Sequence, residues 1–171
     1  YTGNQEKDSR HYRIQLKETA DTYQVNTASG TFQIDKRNGL LTSSKDGKTF
    51  LTNSPKLMVL PLNAEGEGIQ MIGKDQTFKP YTPVCTHWTA HQISVEESKQ
   101  AVCIRVEGRY QEAEGYMEYS FLPNGEVKCS YHFTMRENVS PRQVGLVFSL
   151  AASFDSIEWK RKGYWSVYSE N

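Results

Sequence analysis

Net charge is the first thing this sequence lacks. Twenty basic and twenty acidic residues cancel, so no overall field draws the chain to nucleic acid or to an anionic membrane. Cysteine is scarce and odd in number: Cys85, Cys103 and Cys129, with no CxxC pair. That argues against a disulfide framework and against a tetrahedral zinc site. No apolar run approaches the roughly 20 residues of a membrane span. The opening "YTGNQEKDSR" has neither the basic region nor the apolar stretch of a signal peptide. Starting at Tyr1 and not at Met, it is expected to follow a removed leader or to be a piece of a longer protein. Stretches with helical period are almost missing. Also missing are a glycine-rich phosphate loop, a GxSxG elbow, HExxH and an EF-hand loop. No cofactor and no metal are therefore expected.

What is present is alternation. At 171 residues with 37% hydrophobic content, one domain is expected, burying roughly 70% of the surface its unfolded chain would expose. In "EVKCSYHFTM", Val127, Cys129, Tyr131, Phe133 and Met135 fall on one face, and Glu126, Lys128, Ser130, His132 and Thr134 on the other. This is a strand with one side buried. "AVCIRVEGRY" sets Val102, Ile104 and Val106 against Cys103, Arg105 and Glu107, and "GYMEYSFL" groups Met117, Tyr119 and Phe121.

The turn between two of these runs can be chosen by register. A two-residue loop at Asn124-Gly125 would set Ser120 opposite Cys129, polar against apolar. A three-residue loop, Pro123-Asn124-Gly125, instead pairs Phe121 with Val127, Tyr119 with Cys129 and Met117 with Tyr131. The second agrees with both alternations and puts glycine where a left-handed residue closes the hairpin. Further strands are expected around Phe32 and Ile34, after the turns Arg37-Asn38-Gly39 and Asp46-Gly47, in "PKLMVLPLN", in "HQISVEES", in "RQVGLVFSLAASF" and in "DSIEWKR". The stretch "NAEGEGIQMIGKDQTFKPYTP" has no period and reads as a long loop. Strands every 8–12 residues or so, with turn chemistry between, point to an antiparallel sandwich.

Groups that could carry chemistry each have a plainer reading. His87 and His91 share a spacing of four, which makes a metal pair only on a helix, and a strand follows them at once. Glu96, Glu97, Glu112, Glu114 and Glu118 could serve a glycosidase, but they stand in polar or alternating contexts where solvated faces are the default. Exposed aromatic rings stack on sugar faces. Trp88, Trp159, Trp165 and Tyr168 are therefore candidate sugar contacts, against the reading in which they fill a β-sandwich core. Asn138 opens a glycosylation sequon with Pro141 close behind, and nothing is built on it.

Three stretches in order carry a family resemblance. "GTFQIDKRNGLLTSSKDGKTFLTNSPKLMVLPLN" (Gly30 to Asn63) resembles the opening phrase of the C-terminal β-domain of bacterial β-galactosidases of glycoside hydrolase family 2. "SPRQVGLVFSLAASFDSIEWKRKGYWSVYSEN" (Ser140 to Asn171) is similar to a later phrase, which in the family ends with Gly-Arg-Gly-Pro, a Glu, a Tyr and Asp-Arg. A strand–Asn-Gly–strand hairpin lies between, as in the family. Trp159, Gly163 and Tyr168 match. Arg161-Lys162 replaces Gly-Arg, Tyr164 replaces Pro, Ser166 replaces Glu, and Glu170-Asn171 replaces Asp-Arg. Leu60-Pro61-Leu62 stands where the family has Arg-Ala-Pro. The altered positions Lys162 and Tyr164 join the candidate carbohydrate contacts.

The resemblance implies an all-β fold, an antiparallel supersandwich of the galactose-mutarotase-like type. Residues 30–171 would form it, with 1–29 as an N-terminal extension or leading strands. It also implies a role as an accessory, non-catalytic domain packing against a catalytic (β/α)₈ barrel that lies outside this chain. A barrel needs roughly 200–250 residues, and the catalytic glutamates of the family belong to it, so no catalytic residue is expected here. A galactoside-like carbohydrate is the implied small-molecule partner, and a periplasmic or secreted setting the implied location. Two other readings stand beside this one: a free-standing carbohydrate-binding module, and a mutarotase-like enzyme using His87, His91 or His132 with a glutamate as acid and base.

Overall fold

The structure is a computed structural model, and it describes residues 14–60, 84–138, 141, 143–154 and 156. Ten strands order these residues: β1 (Gln15–Glu18), β2 (Thr22–Thr27), β3 (Gly30–Asp35), β4 (Leu41–Lys45), β5 (Lys48–Leu60), β6 (Thr89–Glu97), β7 (Val102–Arg109), β8 (Ala113–Phe121), β9 (Val127–Met135) and β10 (Gln143–Leu150). They form a six-stranded sheet in the order β1-β2-β3-β4-β5-β10 and a four-stranded sheet in the order β6-β7-β8-β9. Every named pairing is antiparallel. The expected all-β, antiparallel sandwich is the observed architecture.

The four-stranded sheet follows from alternation and turn chemistry. β8 pairs with β9 in the register expected for the three-residue loop: Phe121 faces Val127, Tyr119 faces Cys129 and Met117 faces Tyr131. The Gly125 amide bonds the Leu122 carbonyl at 3.0 Å, the Leu122 amide bonds the Glu126 carbonyl at 2.9 Å, and Gly125 has φ +82°. That is a turn closed by a left-handed glycine, as a bulged hairpin requires. β9 is the outer strand of its sheet, so its apolar face is only partly covered. Tyr131, grouped with the inward residues by alternation, is exposed.

The six-stranded sheet departs further from expectation. The run after Asp46-Gly47 and the "PKLMVL" run join into one 13-residue strand, β5. Pro55 lies inside it without breaking it, because the β5–β10 register shifts between Val147 and Ser149, leaving Ser54 and Pro55 outside the regular pairs. A bulge is where a strand tolerates a residue with no N–H. β4 covers only the first part of β5. Further along, the bare edge of β5 takes the Cys85 amide on the Leu57 carbonyl at 2.9 Å, with an isolated bridge from Met58 to Val84. Residues 1–29 include β1 and β2, which extend the same sheet beyond β3. The stretch 63–83, read as a loop, and residue 155 with 157–171 lie outside the described residues.

The two sheets close on one apolar core of Val25, Phe32, Ile34, Leu41, Leu57 and Val59 from one side and Val102, Ile104, Val106, Met117, Tyr119 and Phe121 from the other. Phe32 meets Phe121 across the gap with ring centroids 5.1 Å apart. At roughly 25 cal/mol per Å² of apolar area, burying rings of this size is a main source of cohesion between the layers.

Candidate functional site

A cavity of about 650 Å³ lies beside the Asn53–Lys56 part of β5, lined from both sheets. Its described lining includes Trp88, Tyr110 and Met117 on one side and Asn53, Lys56 and Ser149 on the other. The interior is thus largely apolar, with polar groups at the wall.

The short segment Val84 to Trp88 forms one rim and is tied down from both ends. The Thr86 amide and hydroxyl both donate to the Glu112 carboxylate, at 2.9 Å to Oε2 and 2.8 Å to Oε1. The Gln111 amide returns a bond to the Thr86 carbonyl at 2.8 Å. Glu112 is therefore half-buried and structural, not the solvated carboxylate its context suggests. Since the Thr86 hydroxyl has one proton and the carboxylate can only accept, that proton goes to Glu112. His87 Nδ1, 3.1 Å from the Thr86 hydroxyl oxygen, must then be the donor of that bond. The His87 side chain is exposed and its backbone is left-handed, φ +56°, a conformation that histidine adopts more readily than most residues.

Trp88 lines the cavity and is half-buried. Its indole N–H donates to the Asn38 carbonyl at 3.0 Å. The ring lies 4.8 Å from Tyr110 and 6.2 Å from Phe133, and a Cβ on Gly108 would come within 2.5 Å of it. Glycine at that position lets the indole lie on the β7 backbone. Tyr110 accepts the Leu57 amide at 3.3 Å; burial raises its hydroxyl pKa to about 12. Burial, with the Glu112 charge adding to it, also pushes the Cys85 thiol up to about 12.

Of the six candidate carbohydrate contacts, Trp88 is the one the described residues include. Trp159, Lys162, Tyr164, Trp165 and Tyr168 lie outside them. His91 is in β6, at the register shift between Ala90 and Gln92, while His87 precedes the strand. Among the described residues no group of three or more His, Cys, Asp or Glu could hold a metal ion. The three cysteines are free, Cys85 buried and Cys103 and Cys129 half-buried. Outside the cavity, one charged constellation is on the outer face of the four-stranded sheet. There Arg105 bonds Glu118 at 2.7 and 2.9 Å and lies over the Tyr116 ring, which stacks on His132.

Tyr110, Glu112 and the Asn38 carbonyl matter to this rim, and the sequence reading named only Glu112 and the Asn38 turn. Tyr110 carries no local signal, because its partner Leu57 is remote in sequence and reaches it only when the layers close.

Taken together, the described residues define a two-sheet antiparallel β-sandwich whose cavity rim is held by the Thr86–Glu112 and Trp88–Asn38 bonds. A family model described as beta galactosidase small chain matches residues 26–170. The chain belongs to that family. The match begins in β2 and takes in the Gly30–Asn63 phrase that carried the resemblance. No curated protein matches the chain.

Proposed function

We propose that this chain is an accessory, non-catalytic part of a β-galactosidase-like glycoside hydrolase, packing against a catalytic (β/α)₈ barrel outside it. The observation that carries this reading is the family match over residues 26–170 on an all-β fold. Physical chemistry supports it. Glycoside hydrolysis needs a pair of carboxyl groups roughly 5–10 Å apart across the sugar, one of them free to give a proton. At the cavity, Glu112 is spent on Thr86. Residues 30–171 would form the body of the sandwich, with 1–29 as an N-terminal extension or leading strands.

The test is reconstitution. The purified chain alone should release no chromophore from a nitrophenyl galactoside. Added to the separately expressed barrel of a family 2 β-galactosidase that lacks this part, it should sediment with the barrel and raise its activity. Hydrolysis by the isolated chain, or failure to form the complex, would overturn the proposal.

A carbohydrate-binding role is the second reading, favoured by Trp88 at a cavity wide enough for a sugar ring. Calorimetry with galactosides should then show heat that His87→Ala or Trp165→Ala diminishes. Heat unchanged in both variants, or absent altogether, removes it. A mutarotase role would rest on His87 beside Glu112, and a polarimetric trace at the uncatalysed rate removes that one.

A further inference from the structure

The cavity beside Trp88 is graded from apolar to polar. Its buried wall includes Val106, Tyr110, Met117 and Tyr119, none of them more than 3% exposed. The oxygens of that wall are already in hydrogen bonds. Tyr110 Oη accepts the Leu57 amide at 3.3 Å, Ser54 Oγ accepts the Leu41 amide at 3.2 Å, and the Tyr119 hydroxyl donates to Met117 Sδ at 3.4 Å. Lys56 and His87, by contrast, line the same cavity and are exposed to solvent. Glu112, the carboxylate of this rim, is bonded to Thr86.

Such a gradient selects by polarity. A sugar ring carries hydroxyls around its whole edge, and against the buried wall those hydroxyls give up water for little in return, which is unfavourable. An alkyl chain loses no hydrogen bonds there, and each methylene it buries strengthens binding about fourfold. The volume of about 650 Å³ suits a small ligand, since such pockets run from about 300 to 1,000 Å³. At the exposed side a lysine ammonium is a point charge for an anionic head, and a head held there keeps its contact with water.

We propose that this cavity binds an alkyl carboxylate, its chain against Val106, Met117 and the Trp88 and Tyr110 rings and its head at Lys56. The inference rests on the cavity and goes beyond the glycosidase reading. A sugar competes with such an amphiphile for the same space, and titrations separate the two.

The test is calorimetry on the 171-residue chain, with each acid kept below its micellar range. Decanoate should bind, and octanoate, two methylenes shorter, should bind roughly tenfold or more weakly. Galactose should bind more weakly than either. Val147 is a half-buried lining residue, so Val147→Trp fills the space and should abolish decanoate binding. Should that variant not fold by its circular dichroism, Ser149→Trp, at another half-buried lining position, takes its place. Lys56→Glu should weaken decanoate about threefold to tenfold and leave decanol unchanged. No heat with decanoate, heat that a filling variant leaves intact, or galactose binding as tightly as decanoate would overturn the proposal. Equal effects of Lys56→Glu on decanoate and decanol would overturn it too.

Discussion

The β7–β8–β9 hairpins and the β5–β10 pair are built from similar alternating sequence, and they end differently. From β7 to β9 the pairing runs residue for residue with no shift, and the inward row of β7 and β8, Val102, Ile104, Val106, Met117, Tyr119 and Phe121, is buried to 3% exposure or less. Between β5 and β10 the register shifts twice, and the β10 row stays half exposed. The difference lies in what each strand must serve. A strand with a short turn on either side can let alternation set its register. β5 must satisfy β4, then β10 and the Val84–Cys85 segment, and it does so through bulges and a buried proline.

The largest expected effect sharpens that contrast. Phe121→Ala should cost about 3–5 kcal/mol in urea unfolding, as for a fully buried ring. Phe148→Ser on β10 should stay within about 0.5 kcal/mol if its row faces water, and a loss of several times that would show the row to be covered. Glycines give the second comparison. A Cβ on Gly115 would meet the His132 carbonyl oxygen at 1.9 Å, whereas one on Gly145 would find only the Met58 methyl at 3.9 Å. Gly115→Ala should therefore cost about 1–3 kcal/mol, because backbone must move, and Gly145→Ala almost nothing. Equal losses by calorimetry would erase the distinction.

Trp88→Phe removes the bond to the Asn38 carbonyl while keeping a ring in place, and should cost about 1 kcal/mol. An unchanged melting point would mean that water replaces the indole. The last effect is alkaline. Burial raises Cys129 to about 11, Cys85 to about 12 and Tyr110 to about 12, so the folded chain keeps protons that the unfolded chain has already lost. Stability is then full below about pH 8.5, the ordinary thiol value, and falls as pH rises toward 12. The melting temperature should decline over that window, and Tyr110→Phe should flatten the part above pH 10. A flat profile from pH 8 to 11 would contradict the burial of these groups.

The β8–β9 register and its three-residue turn could be read from the chain, because alternation on both strands and the Pro-Asn-Gly turn gave the same answer. The family was legible in the same way, from phrases whose spacing survives substitutions at Lys162, Tyr164 and Ser166. β5 was not. Pro55 reads locally as a break, and nothing in its neighbourhood says that pairing with β10, almost a hundred residues later, will leave it in a bulge of β5. The cavity rim was hidden for a similar reason: Glu112 looks solvated until Thr86 folds back onto it, and Tyr110 looks ordinary until Leu57 arrives.

Periodicity and turn chemistry are local, so they settled that this chain makes antiparallel strands, where the tight hairpins fall and which residues turn inward. Which sheet each strand joins, how β5 divides itself between neighbours, and the cavity this leaves beside Trp88 depended on the layers closing. The groups that decide them, Tyr110 with Leu57, Trp88 with Asn38 and Glu112 with Thr86, are 26 to 53 residues apart in the chain and meet only once apolar burial has brought the sheets together.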